Sequence, residues 1–177
     1  MLVVHIISTE DTKDFSSLYS GLDAKVLINP TKKVLKRALN EEMECVMFIG
    51  HGTEYGLLNE RLDGYSVDCK MVDLLRNKTI IGIWCYAGNF AQKYDLKGFL
   101  TSNFISNVDE LVECGFEKFD NAEKVISFEN DFFSSLINGF LKMKLPLWEW
   151  VEACQNHIIQ DSQPFIKYNY EALYFGK

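Results

Sequence analysis

The chain has 177 residues, of which 47% are hydrophobic and 24% charged, enough apolar material for one globular domain with a core of its own and no need of a metal or disulfide staple. Its 3 prolines and 11 glycines form no biased tract, which excludes collagen-like repeats and long flexible linkers. A formal charge of -7 argues against a duplex-binding surface, and the one basic cluster, Lys32, Lys33, Lys36 and Arg37, reads as the solvated face of a helix.

Residues 2–8 form an apolar run too short to span a membrane and followed by Glu10 and Asp11 where a secreted chain would carry a cleavage site. It reads as a buried first strand, with His5 a core or sheet-end histidine. After a polar stretch over 10–19 comes a second strand at 25–28. Asn29 and Pro30 then suit the N-cap and first turn of a helix reaching about residue 42, with Val34, Leu35, Ala38 and Leu39 as its buried stripe. Residues 45–49 are continuously apolar and bounded by Gly50, the pattern of a central strand covered on both faces. Turn formers and mixed polarity over 53–64 predict a small hairpin, and Ser66 or Asp68 caps a helix to about residue 76.

Residues 79–84 form the fourth strand, ending at Cys85, and a short helix follows over 89–94. A fifth strand is predicted over 99–106, then helices over 109–114, 123–144 and, behind Pro146, 147–160. The aromatic tail 168–175 is β-prone and suits a last edge strand. Short apolar runs alternating with helical segments are the pattern of parallel strands joined by crossover helices. The expected fold is therefore α/β, a mostly parallel sheet flanked by helices in three layers, in a single domain over 1–177. Five cysteines, an odd number with no CxxC pair and no export signal, fit free thiols in a reducing cytoplasm.

Ligands and catalytic groups of an open parallel sheet gather beyond the carboxyl ends of its strands. His51 and Cys85 stand immediately after the third and fourth strands, and on neighbouring strands they project from one rim as a Cys-His pair. The turn and short helix after Cys85 offer backbone N–H groups to a thiolate, and Gly52 lets its own N–H approach a substrate carbonyl. Cys154 and His157 lie three apart on a predicted helix, but two ligands make no zinc site, so neither a metal nor a cofactor is expected.

The segments CVMFIGHGTEYGLL and TIIGIWCYAG, an apolar strand ending in His-Gly and a later one ending in Cys, resemble the caspase-like cysteine peptidases, the superfamily of caspases, metacaspases, gingipain, clostripain and separase. The resemblance implies a caspase-like fold, hydrolysis of peptide bonds in a peptide or protein substrate, His51 and Cys85 as the catalytic pair, and Gly52 as an oxyanion donor. Where the clostripain-like branch has an aspartate two residues before the cysteine, this chain has Ile83, so that preference for a basic side chain is not implied. Trp84, Ser102, Asn103 and Ser106 are the expected walls of the substrate cleft.

Two other readings compete. A catalytically inactive caspase-like domain would keep the fold and act as an interaction or regulatory module. The glycines of Gly50-His51-Gly52 and Gly56 also suggest a nucleotide-binding loop, but that fingerprint needs a helix starting in the glycine turn, and residues 53–64 have no helical period. No nucleic acid or membrane partner is expected, and a homodimer through the aromatic C-terminal edge is an arrangement the fold allows.

Overall fold

The computed structural model describes every residue except Met43, Ile159, Gln160, Asp161 and Lys177. The chain starts with β1 (Leu2–His5), a short helix α1 (Glu10–Asp14), a 3-10 turn over Phe15–Tyr19, β2 (Lys25–Ile28), α2 (Lys32–Glu41) and β3 (Cys45–Ile49). Three short strands follow, β4 (Gly52–Thr53), β5 (Gly56–Leu58) and β6 (Tyr65–Val67), then α3 (Val72–Leu75) and β7 (Thr79–Ile83). The remainder is α4 (Ala87–Tyr94), β8 (Lys97–Thr101), α5 (Val108–Glu113), α6 (Ala122–Met143), α7 (Leu147–Gln155), α8 (Pro164–Glu171) and β9 (Leu173–Gly176).

Six strands form one sheet in the order β2-β1-β3-β7-β8-β9. The first five are parallel, and β9 closes the edge antiparallel to β8. Alternation along the strands divides the core. Val4, Phe48, Ile80 and Leu100 face α2, α3 and α4, whereas Val3, Met47, Ile81 and Phe99 face α6 and α7. The result is a three-layer α/β fold with a mostly parallel sheet flanked by helices. Among the described residues no helix is long and apolar enough to cross a membrane.

Local chemistry sets the departures from the sequence pattern. Asn29 does not cap α2. It takes a left-handed conformation, φ 44°, and its amide pairs with Ile7, accepting from the backbone N at 2.8 Å and donating to the carbonyl at 3.1 Å. Thr31 is the cap instead, its hydroxyl accepting from Val34 N, and Val34 is turned outward while Leu35, Ala38 and Leu39 are buried. The basic cluster is partly neutralised, since Lys32 pairs with Asp68 and Arg37 with Glu41. β8 ends at Thr101, not at 106; Ser102 N makes one further bond in register with β9, to Ala172 O, and the chain then leaves the sheet. The tail divides, with residues 164–171 forming a helix after Pro164 and only 173–176 joining the sheet. The predicted end of α7 beyond residue 158 lies outside the described residues.

His5 is a sheet-end histidine, as expected. It is fully buried, its Nε2 2.6 Å from Thr12 O and its Nδ1 3.0 Å from Tyr19 Oη, so it holds the α1 segment against β1. Burial lowers its pKa, partly offset by the Thr12 carbonyl. Below an ordinary histidine pKa of about 6.5 the unfolded chain takes up a proton that the folded chain refuses, so folding stability falls as pH drops through that range. Urea unfolding at pH 8 and pH 5 should show a loss of stability that is absent in His5→Gln; an equal loss in both proteins would place the effect elsewhere.

Candidate functional site

The parallel register of β3 and β7 pairs Ile49 with Ile83. Two residues further on, His51 and Cys85 leave the same edge of the sheet, and Gly50 N still donates to Ile83 O at 3.1 Å. Both side chains line one open cleft of about 510 Å³, together with Gly52, Leu58, Leu62, Tyr86, Asn103, Asn107, Asp109, Glu110, Glu113 and Cys114. Behind it lies an inner cavity of about 20 Å³, room for about one water, to which Gly50, Trp84, Thr101 and Ser106 also contribute.

Thr101 fixes the turn that carries Cys85. Its buried hydroxyl accepts from Trp84 N at 3.1 Å and lies 2.8 Å from Trp84 O, where it donates. Tyr86 then takes a left-handed conformation, φ 66°, with its N–H on Ser102 O, and α4 begins at Ala87. The Cys85 thiol donates to Phe104 O at 3.5 Å rather than accepting from the start of α4. Burial, with the charge of Glu110 second, pushes this thiol up to about 12. The expectation of a thiolate settled by the following helix is therefore not met, and the resting side chain is a neutral thiol.

His51 is gripped from both edges of its ring. Nε2 lies 2.9 Å from Thr9 Oγ1 and 3.5 Å from Asp11 Oδ2, while Nδ1 lies 3.7 Å from Glu110 Oε1. Ser106 joins the two carboxylates, its hydroxyl donating within 3.1 Å of Asp11 Oδ2 and 2.8 Å of Glu110 Oε2, and its N–H donates to Glu110 as well. Asn107 adds a bond to Asp11. Burial opposes ionisation of Asp11, but hydrogen bonds from Thr9, Asn107 and Ser106 and the nearby His51 outweigh it and hold the carboxyl below the usual range. Glu110 goes the other way, since burial raises it beyond what Ser106 and His51 restore.

Gly52 is explained by packing first. A Cβ there would stand 2.0 Å from Trp84 Cδ1 and 2.8 Å from Gly56 O. The indole lies over Gly82 as well, where a Cβ would come within 2.7 Å of its far edge, and stands edge-on to Phe48 and Phe90. The ladder leaves the Gly52 N–H available. Leu58 N donates to His51 O, which makes that pair a hydrogen-bonded one, so the next pair, Gly52 with Leu57, is of the other kind and its N–H points away from β5.

Of the predicted wall residues, Asn103 lines the open cleft, while Ser106 lies at the inner cavity and binds the two carboxylates. Trp84 is 3% exposed and belongs to the core. Ser102 spends its backbone on Tyr86 and Ala172 and lines neither cavity. Thr9, Asp11 and Glu110 are the members that sequence reasoning missed; only their place just after a strand or on the following helix pointed to them. No protein-family model matches the chain, and no curated protein or solved structure is significantly similar to it.

Two measurements probe this geometry. Gly52→Ala should lower stability by about 2 kcal/mol or more through overpacking, and the loss should be strongly non-additive with Trp84→Leu in a double-mutant cycle; additive losses would show that the indole is not what requires the glycine. Iodoacetamide at pH 7.5 should alkylate Cys85 about 100-fold more slowly than the exposed Cys69, with the Cys85 rate climbing as pH rises toward its pKa of about 12. Mass spectrometry of timed samples gives both rates, and fast labelling of Cys85 at neutral pH would contradict a buried thiol.

Proposed function

We propose that this chain is a cysteine peptidase of caspase-like fold, hydrolysing peptide bonds in a peptide or protein substrate with Cys85 as nucleophile and His51 as acid and base. The observation that carries the reading is the placement of His51 and Cys85 beyond two adjacent parallel strands, lining one cleft. Asp11 and Thr9 at Nε2 favour the tautomer with its proton on that nitrogen, which leaves a lone pair on Nδ1, the nitrogen that faces Glu110.

In this mechanism substrate enters the cleft and the Nδ1 lone pair takes the Cys85 proton as sulfur attacks the carbonyl carbon. A thiol held neutral at rest requires this coupling, because no free thiolate waits in the site. The N–H of Gly52, unused by its ladder, and that of Cys85 receive the developing oxyanion. The imidazolium returns its proton to the departing amine, and His51 then activates water to hydrolyse the thioester. Asp11 and Glu110 flank the ring and stabilise the imidazolium between the two proton transfers.

The half-buried, neutral thiol also favours a second reading, an inactive caspase-like interaction module. Acyloxymethyl ketone peptide probes with acidic, basic and apolar P1 residues separate the two. A peptidase is labelled at Cys85 only, and His51→Ala or Cys85→Ala abolishes labelling while circular dichroism shows a folded chain. Failure of every probe on folded wild type rejects the peptidase reading and favours the module.

A further inference from the structure

Asp11, His51 and Glu110 come from three separate places in the chain, the short α1 after β1, the loop after β3, and α5 after β8. One donor atom from each lies within 4.8 Å of the others. Donor atoms around a tetrahedral zinc-sized ion, each about 2.0–2.2 Å from it, stand about 3.3–3.6 Å apart, so the widest-spaced pair closes by up to about 1.5 Å when an ion binds. We propose that these three side chains form a site for a divalent first-row transition ion of the zinc class, one nitrogen and two oxygens from the protein with the remaining position open to the cleft.

Four features favour an ion there. Two carboxylates joined through a single serine hydroxyl stand on either side of the His51 ring, and a divalent ion between them balances the charge of both. Ser106 and Asn107 bind Asp11, and Ser106 binds Glu110 Oε2, so the outer shell that orients metal-binding carboxylates is already built. Glu110 Oε1 is left directed at His51. His51 and Glu110 line the 510 Å³ cleft and keep 19% and 20% of their side-chain surface, and Asp11 beside them keeps 16%. A mixed nitrogen and oxygen set selects zinc or manganese over magnesium, which dehydrates reluctantly and prefers oxygen alone.

The imidazole binds such an ion as the neutral ring, and any proton it carries is released to solvent. An ion held there takes the base away from Cys85 and switches the dyad off. That consequence rests on the peptidase reading; the binding itself does not.

Calorimetry with Zn²⁺ on the full chain carrying Cys85→Ala tests the binding, because that variant removes the neighbouring thiol as a ligand. One ion should bind per chain, Asp11→Asn and Glu110→Gln should each weaken it at least tenfold, and His51→Ala should weaken it further. Affinity unchanged by these substitutions, or binding seen in wild type and lost in Cys85→Ala, overturns the site. So does Mg²⁺ binding of equal strength that ignores His51→Ala. Probe labelling of wild-type Cys85 should be suppressed by Zn²⁺ and restored by EDTA; labelling indifferent to bound Zn²⁺ overturns the switch. If no probe labels even the metal-free protein, the peptidase reading fails while the calorimetric result still stands or falls alone.

Discussion

The pairing of β3 with β7 is the constraint on which the site depends. Five parallel pairs, from Cys45 with Thr79 to Ile49 with Ile83, run through a core in which Val46, Met47, Phe48 and Ile80 to Ile83 are almost wholly buried on both faces. A slip of one residue would exchange the side chains packed against α2 to α4 with those against α6 and α7, so the two-sided core fixes the register firmly. His51 and Cys85 inherit that precision although neither packs in the core. Hydrogen bonds extend the order past the strand ends, through Gly50 to Ile83 on one side and through the Thr101 hydroxyl to Trp84 on the other.

Trp84 connects this core to the cleft. The indole sits against the bare backbones of Gly52 and Gly82, and its Nε1 donates to Thr53 O at 3.4 Å. One large side chain therefore fixes the height of β4 above the sheet and, through it, the position of the Gly52 N–H. The same glycine gives the backbone an unobstructed N–H at the cleft and leaves room for the ring behind it. A packing need and a chemical need thus meet on one residue.

The strands were legible because continuous apolar runs of five or so residues, stopped by Gly50 in one case and Cys85 in another, are too short for buried helices and suit strands covered on both faces. The dyad followed from topology alone, because residues after neighbouring parallel strands must share an edge. Asp11 and Glu110 were not legible: an acidic residue after a strand resembles any solvated turn, and the pair stands 99 positions apart in the chain before Ser106 joins them. The C-terminal region misled for a different reason. Phe165, Tyr168, Tyr170, Tyr174 and Phe175 have β propensity throughout, but Pro164 starts a helix there, and the burial of Phe165 and Tyr170 holds it. Similarly, 102–106 follows β8 directly in sequence, yet only Ser102 still bonds in register with the edge strand, through Ala172 O, and residues 103–106 lie outside the sheet.

The electrostatics of the cleft account for a site that has both reactive side chains in place and still rests in an unreactive form. Burial disfavours a thiolate at Cys85, and the carboxylate of Glu110 disfavours it further. Asp11 and Glu110 face the His51 ring from its two edges. Charge separation within the pair is thus opposed at the sulfur. In the proposed reaction the balance changes when an oxyanion and a departing amine form in the cleft, where the imidazolium has somewhere to deliver its proton. The proposed ion between the carboxylates has the opposite effect, since it meets their demand directly and, under the peptidase reading, leaves His51 nothing to offer the thiol.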